Sequence, residues 1–153
     1  MTKIKKVYIG ADHAGFELKE KLMEYFKEKR MLYEDLGTHS PDSVDYPDYA
    51  MAVARRVAKK KNTKGILICG TGTGMVIAAN KVKGIRAVAA YDKYSAKMSR
   101  NDNDANVLGL RGRFFPFEKV KEIVSVWLAT PFSGEARHKR RINKIKQFEN
   151  NER

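Results

Sequence analysis

The chain has 153 residues, 42% of them hydrophobic, with no linker, repeat or low-complexity stretch, so one core and a single domain over residues 1–153 are expected. Its apolar runs fall far short of the roughly 18 residues that cross a bilayer, and Met1-Thr2-Lys3-Ile4-Lys5-Lys6 leads into a strand signal, so the expectation is a soluble cytoplasmic protein with no membrane partner. A net charge of +13 favours anionic partners without choosing among them, and a lone cysteine excludes an internal disulfide.

In chain order, Val7 to Gly10 reads as a strand, followed by an amphipathic helix from about Phe16 to Lys29 with Leu18, Leu22, Tyr25 and Phe26 on one side. Tyr33 to Leu36 is a second strand, and Asp45 is placed to cap a helix that carries Pro47 in its first turn and runs to about Lys59. Ile66, Leu67 and Ile68 form a short apolar run suited to a parallel strand covered on both faces, with Cys69 at its carboxyl end. Gly70, Gly72 and Gly74 make a turn, and Met75 to Lys81 reads as a helix. Arg86 to Ala90 and Val107 to Leu110 are the fourth and fifth strands, separated by a helix near Lys93 to Arg100. Pro116 opens a helix with Val120, Ile123, Val124, Trp127 and Leu128 at core spacing, and a strongly basic helix spans about Glu135 to Phe148. Strands alternating with helices predict an α/β fold, a five-stranded parallel sheet with helices on both faces.

In such sheets ligands bind beyond the carboxyl ends of the strands. There the sequence places Asp12 and His13, the run Cys69 to Gly74, and Arg111 and Arg113. The glycines bare their amides to an anion, and a thiol beside a helix N-terminus has its thiolate stabilised, so Cys69 could act as a base. The other reading of a lone strand-end cysteine is a small buried hydrophobe. The glycine spacing matches neither the dinucleotide fingerprint nor the phosphate loop. Arg137, Arg141 and Lys144 form a cationic stripe, with Ile142 and Ile145 on another face of the last helix. It is either a solvated face or an arm reaching into a neighbouring subunit's phosphate site. Basic residues are not interleaved with aromatics in any recognised module, so nucleic acid is not the expected partner.

Several motifs occur together: Asp12-His13-Ala14-Gly15-Phe16, Asp45-Tyr46-Pro47-Asp48-Tyr49-Ala50, Cys69-Gly70-Thr71-Gly72-Thr73-Gly74, Ala78-Ala79-Asn80-Lys81, Gly84-Ile85-Arg86-Ala87, Asn103-Asp104-Ala105-Asn106 and Arg137-His138-x-x-Arg141. In this order, over nearly the whole chain, they resemble ribose-5-phosphate isomerase B, within a family that also holds galactose-6-phosphate isomerase subunits. The resemblance implies a Rossmann-like three-layer sandwich whose C-terminal helix packs on a partner subunit. It implies a homodimer or dimer of dimers with shared active sites, no metal and no organic cofactor. Cys69 matches the family's base, with the amides of Gly70, Gly72 and Gly74 around the oxyanion, and Thr71 assists sugar binding and ring opening. Asp12, His13, Tyr46, Thr73 and Asn103 match substrate-binding positions, and Arg113, Arg137, His138 and Arg141 match phosphate-binding ones.

Two departures stand out. The usual Phe-Glu/Asp-Gly-Gly-Arg-His segment becomes the one-residue-longer Phe132-Ser133-Gly134-Glu135-Ala136-Arg137-His138. Asp102 stands where family members carry the histidine that opens the sugar ring, and a free aspartate is ionised at neutral pH. Three readings stay open: Asp102 opens the ring as a protonated acid, another histidine such as His13 or His39 does so, or the substrate needs little ring opening. A tetrose 4-phosphate cannot close a furanose ring. Other aldose phosphates and a non-catalytic phosphosugar-binding role are the alternatives to ribose 5-phosphate isomerisation.

Overall fold

The computed structural model describes residues 3–152. Five strands, β1 (Lys6–Ala11), β2 (Tyr33–Asp35), β3 (Thr63–Cys69), β4 (Ala87–Ala89) and β5 (Val107–Arg111), alternate with helices α1 (Phe16–Glu28), α2 (Tyr46–Lys59), α3 (Thr73–Ala79), α4 (Lys93–Asn103) and α5 (Phe117–Ala129), before α6 (Ala136–Asn151). All strand pairs are parallel, in the order β2-β1-β3-β5-β4.

The two-residue period of the strands sorts their side chains into two cores. Val7, Ile9, Ile66, Ile68, Leu108 and Leu110 pack on α1 and α5, against Leu22, Phe26, Val120, Val124 and Trp127. Tyr8, Leu67, Cys69 and Val107 face the opposite layer, against Val53 and Val57 of α2 and Met75 of α3. The parallel α/β sandwich expected from the alternating pattern is therefore present. Packing of α6 on a partner is a separate matter. Within this protomer it buries His138 and Ile142, and its Glu149 carboxylate accepts the Gly84 N–H over 3.0 and 3.1 Å.

Asp45 occupies the N-cap position of α2, yet its side chain makes no capping hydrogen bond. The capping aspartate is Asp92, whose Oδ1 accepts the Ser95 N–H at 2.8 Å. That bond, reinforced by the Ser95 hydroxyl, holds the Asp92 carboxyl below its ordinary range.

Candidate active site

From β1 the chain crosses to β2 on one side of the sheet and to β3 on the other, so the strand order reverses between β1 and β3. Such a switch point opens a crevice beyond the carboxyl ends of the strands. Asp12 and His13 leave β1 there, and Cys69 is the last residue of β3. Close backbone packing draws the β5 exit into the same place. Gly112 N–H donates to Cys69 O at 2.8 Å, Arg113 N–H donates to Gly70 O at 3.3 Å, and Asp12 N–H donates to Ile68 O at 3.1 Å. A Cβ on Gly15 would lie 2.3 Å from Ile68 O, and one on Gly112 would lie 2.8 Å from Ala14 O. The three exits approach this closely only because those residues lack side chains.

Cys69 is buried, and its Sγ accepts the Gly72 N–H at 3.1 Å. Gly72 itself has φ +85°, the left-handed conformation that turns the chain from β3 into α3. The Thr71 and Thr73 hydroxyls lie 2.7 Å apart, and Tyr91 Oη donates to Thr71 O at 2.8 Å, pinning the turn from outside. Tyr46 closes another wall: a Cβ on Gly74 would lie 2.9 Å from its ring. Arg113 lies along the turn, its Nη1 3.7 Å from where a Gly70 Cβ would be.

Asp12 is buried and spends Oδ1 on the Gly15 N–H at 3.0 Å. His13 Nδ1 accepts the Val44 N–H at 3.2 Å. In the neutral ring that acceptor role leaves the proton on Nε2, so His13 offers a donor. The structure thus gathers Asp12, His13, Tyr46, the turn from Cys69 to Gly74, and Arg113 on one crevice.

Asp102, Asn103, Arg137, His138 and Arg141 lie elsewhere. Asp102 and Asn103 end α4, just before β5 begins, whereas Arg111 ends that strand. At about 3.3 Å per residue, the length of β5 alone separates the two edges of the sheet by roughly 13 Å. At this far edge His138 is buried, with Nδ1 2.7 Å from Ser133 Oγ and Nε2 3.6 Å from Asp102 Oδ1. Asn101 Nδ2 donates to the same Asp102 oxygen at 2.8 Å. Arg137 Nε donates to Glu135 Oε2 at 2.8 Å, and this bond holds the Glu135 carboxyl below its ordinary range while raising the guanidinium. The extra length of the 132–138 segment is thereby put to use, since Ser133 contacts His138 and Glu135 engages Arg137.

Sequence reading missed the Val44 amide, Tyr91 and Ser133. The first is a backbone group and carries no residue signature. Tyr91 reaches Thr71 across 20 residues, a separation that local patterns do not encode, whereas Ser133 stands five residues from His138 in the lengthened segment, where nothing in the spacing signals the contact. His39, one of the histidines considered for ring opening, lies on the exposed rim with Nδ1 3.5 Å from Asp35 Oδ2.

The sequence model of the Ribose/Galactose Isomerase family matches residues 7–145. Ribose-5-phosphate isomerase B of Escherichia coli is 44% identical over 146 residues, covering 95% of this chain and 97% of that protein. The solved ribose-5-phosphate isomerase B of Clostridium thermocellum superimposes with a TM-score of 0.93 at 43% identity, over 97% of this chain and 99% of that one. Its counterpart from Mycoplasma genitalium, solved with bound ribulose-5-phosphate, gives 0.92 at 40% identity over 97% and 99%. With its crevice at the strand-order reversal and this likeness along nearly its whole length, the chain belongs to the ribose/galactose isomerase family.

Proposed function

We propose that the protein is an aldose–ketose isomerase interconverting D-ribose 5-phosphate and D-ribulose 5-phosphate, with Cys69 as base. The observation that carries this reading is the Cys69 sulfur held by the Gly72 amide in the switch-point crevice. The thiolate takes the C2 proton, and the C–H electron pair becomes the C1=C2 bond while negative charge moves onto O1. Amides of Gly70, Gly72 and Gly74 are suited to hold that oxyanion. A proton then passes from O2 to O1, for which the Thr71 hydroxyl is available, and the cysteine returns its proton to C1. His13 Nε2–H and the free Asp12 oxygen suit the sugar hydroxyls. No metal or organic cofactor enters this sequence of steps.

Phosphate binding and ring opening call for a second copy of the chain. Asp102, Asn103, Arg137, His138 and Arg141 would approach a partner's crevice, Arg137 and Arg141 completing with Arg113 a fork-shaped clamp for phosphate. Ile77, Tyr94, Ile145 and Phe148 are 55–74% exposed, which supports a self-association surface. The reading is a homodimer or dimer of dimers that works in the cytoplasm on phosphorylated sugar.

A second reading rests on Asp102, whose Oδ1 accepts from Asn101 Nδ2 at 2.8 Å and lies 3.6 Å from His138 Nε2. It holds that the physiological substrate is an aldose phosphate with no ring to open. Ketose formation from ribose 5-phosphate, erythrose 4-phosphate and hexose 6-phosphates, measured on one sample, decides between them. Turnover of ribose 5-phosphate at an ordinary rate of roughly 1–1000 per second supports the first reading. Preference for the tetrose supports the second, and binding without turnover of any of them overturns both.

A further inference from the structure

At the amino-terminal edge of the sheet, opposite the Cys69 crevice, a cleft of about 930 Å³ opens below the starts of β1, β3 and β5. Its size falls in the range of small-molecule sites. Lys3, Lys60, Lys61, Lys64, Arg86 and Arg100 line it, with Asp104 the only carboxylate in the lining among the described residues. Both Asp104 oxygens are already engaged, Oδ1 by Arg100 Nη1 at 2.7 Å and Oδ2 by Arg86 Nη2 at 3.1 Å. The local charge is therefore strongly positive.

Lys64 is the member that points to a ligand. It sits part-buried on β3, and its Nζ donates only to Thr63 O, at a long 3.4 Å. No carboxylate among the described residues lies within ion-pair distance of it. Burial pushes its ammonium down to about 8, the Arg100 and Arg86 charges add to that, and Asp104 opposes it only in part. A poorly solvated cation facing other cations across an open cleft is stabilised by any anion that enters.

We propose that this cleft is a second anion site, separate from the substrate's phosphate clamp, which binds a small molecule carrying a diphosphate or polyphosphate group. Lys64 is its central ligand, and Lys60 and Lys61 meet the outer charges from the loop before β3. The spread of cations along the cleft suits linked phosphates better than a single one. Apolar side chains such as Met31 and Phe132 on the same walls leave room for an uncharged portion.

The test is calorimetric titration of the full chain with pyrophosphate, run with saturating ribose 5-phosphate present to fill the isomerase site. The expected result is binding that survives the sugar phosphate, weakens at least tenfold in Lys64→Met and is retained in Lys64→Arg. Between pH 7 and 9 binding weakens for the wild type as the ammonium discharges, and holds for Lys64→Arg. Displacement of all pyrophosphate by ribose 5-phosphate assigns it to the substrate site and overturns the proposal. Unchanged affinity in Lys64→Met overturns it as well. Isomerase rates measured on the same samples keep this outcome separate from that of the catalytic reading.

Discussion

At the scale of single residues, Cys69 is placed by two unrelated constraints: strand periodicity turns it towards the α2 and α3 layer, and the left-handed Gly72 brings an amide onto its sulfur. Cys69→Ser keeps an acceptor for that amide but replaces the sulfur of the proposed base with a hydroxyl, a far weaker base than a thiolate. Its kcat on ribose 5-phosphate is expected to fall about 10²–10⁴-fold with KM little changed, which steady-state kinetics will read. A rise in KM with kcat intact would reduce Cys69 to a binding group. Gly72→Ala tests the turn. The left-handed conformation costs a side chain about 1–2 kcal/mol, and the new Cβ would lie 3.0 Å from Leu110 O. A lower urea midpoint together with lost activity is the expected outcome. Lys64 gives a pH signature with a definite sign. Its ammonium ionises near 8 in the folded chain, against an ordinary 10.5, so the unfolded state binds more protons between those values. Stability from this group is therefore lowest below about pH 8 and recovers as pH rises towards 10.5. Lys64→Met should melt above the wild type at pH 7, with the gap closing by pH 10. A gap of constant size would mean that the lysine is not penalised by folding.

At the scale of elements, the segment between α5 and α6 sets how ready the proposed phosphate clamp is. Glu135 already holds Arg137, so a phosphate bound as proposed would compete with a carboxylate for the same guanidinium. Glu135→Gln removes the charge and should lower KM for the sugar phosphate several-fold with kcat unchanged. The advantage should shrink in high salt, because this pair is exposed and screened. Equal KM values at low salt would show that Arg137 takes no part in binding. Most elements were legible because their apolar periods are strong: Phe16 does open a helix, and Val120, Ile123, Val124 and Trp127 are buried at their helical spacing. The amino half of β3 was not legible, because Thr63-Lys64-Gly65 breaks the apolar run. Gly65 stands there since a Cβ would lie 2.8 Å from Val53 and 3.1 Å from Val107. Helix α3 begins at Thr73, ahead of the expected Met75, because Gly72 supplies the turn that starts it. Insertion of β5 between β3 and β4 is a tertiary choice that no local pattern records. The Cys69 turn could be read as a unit because its groups are contiguous. The Val44 contact to His13 could not, since it joins residues 31 apart.

At the scale of the whole molecule, a parallel sheet has two unlike edges, and the residues proposed for phosphosugar chemistry fall at both. Carboxyl ends of β1, β3 and β5 carry Cys69 and the amides of its turn, while the end of α4 and the start of α6 lie beyond the amino ends. Helix α4 runs antiparallel to the strands it connects, so its C-terminal Asp102 and Asn103 cannot turn back to Cys69 within one chain. A second copy related by a two-fold axis would bring Asp102, Asn103, Arg137 and Arg141 of each chain to the Cys69 turn of the other, making two equivalent shared sites. Subunit complementation tests this directly. Cys69→Ala and Arg141→Ala are each expected to be nearly inactive alone. Unfolded together and refolded as an equal mixture, half of the dimers would be mixed, each with one site carrying both lesions and one carrying neither. Recovery of about a quarter of the wild-type rate is then expected from random dimer pairing. If each site drew all its residues from one chain, every site in the mixture would still hold one lesion and no activity would return. A light-scattering mass for both variants equal to that of the wild type removes failed assembly as the cause, so a silent mixture would place the site within a single protomer.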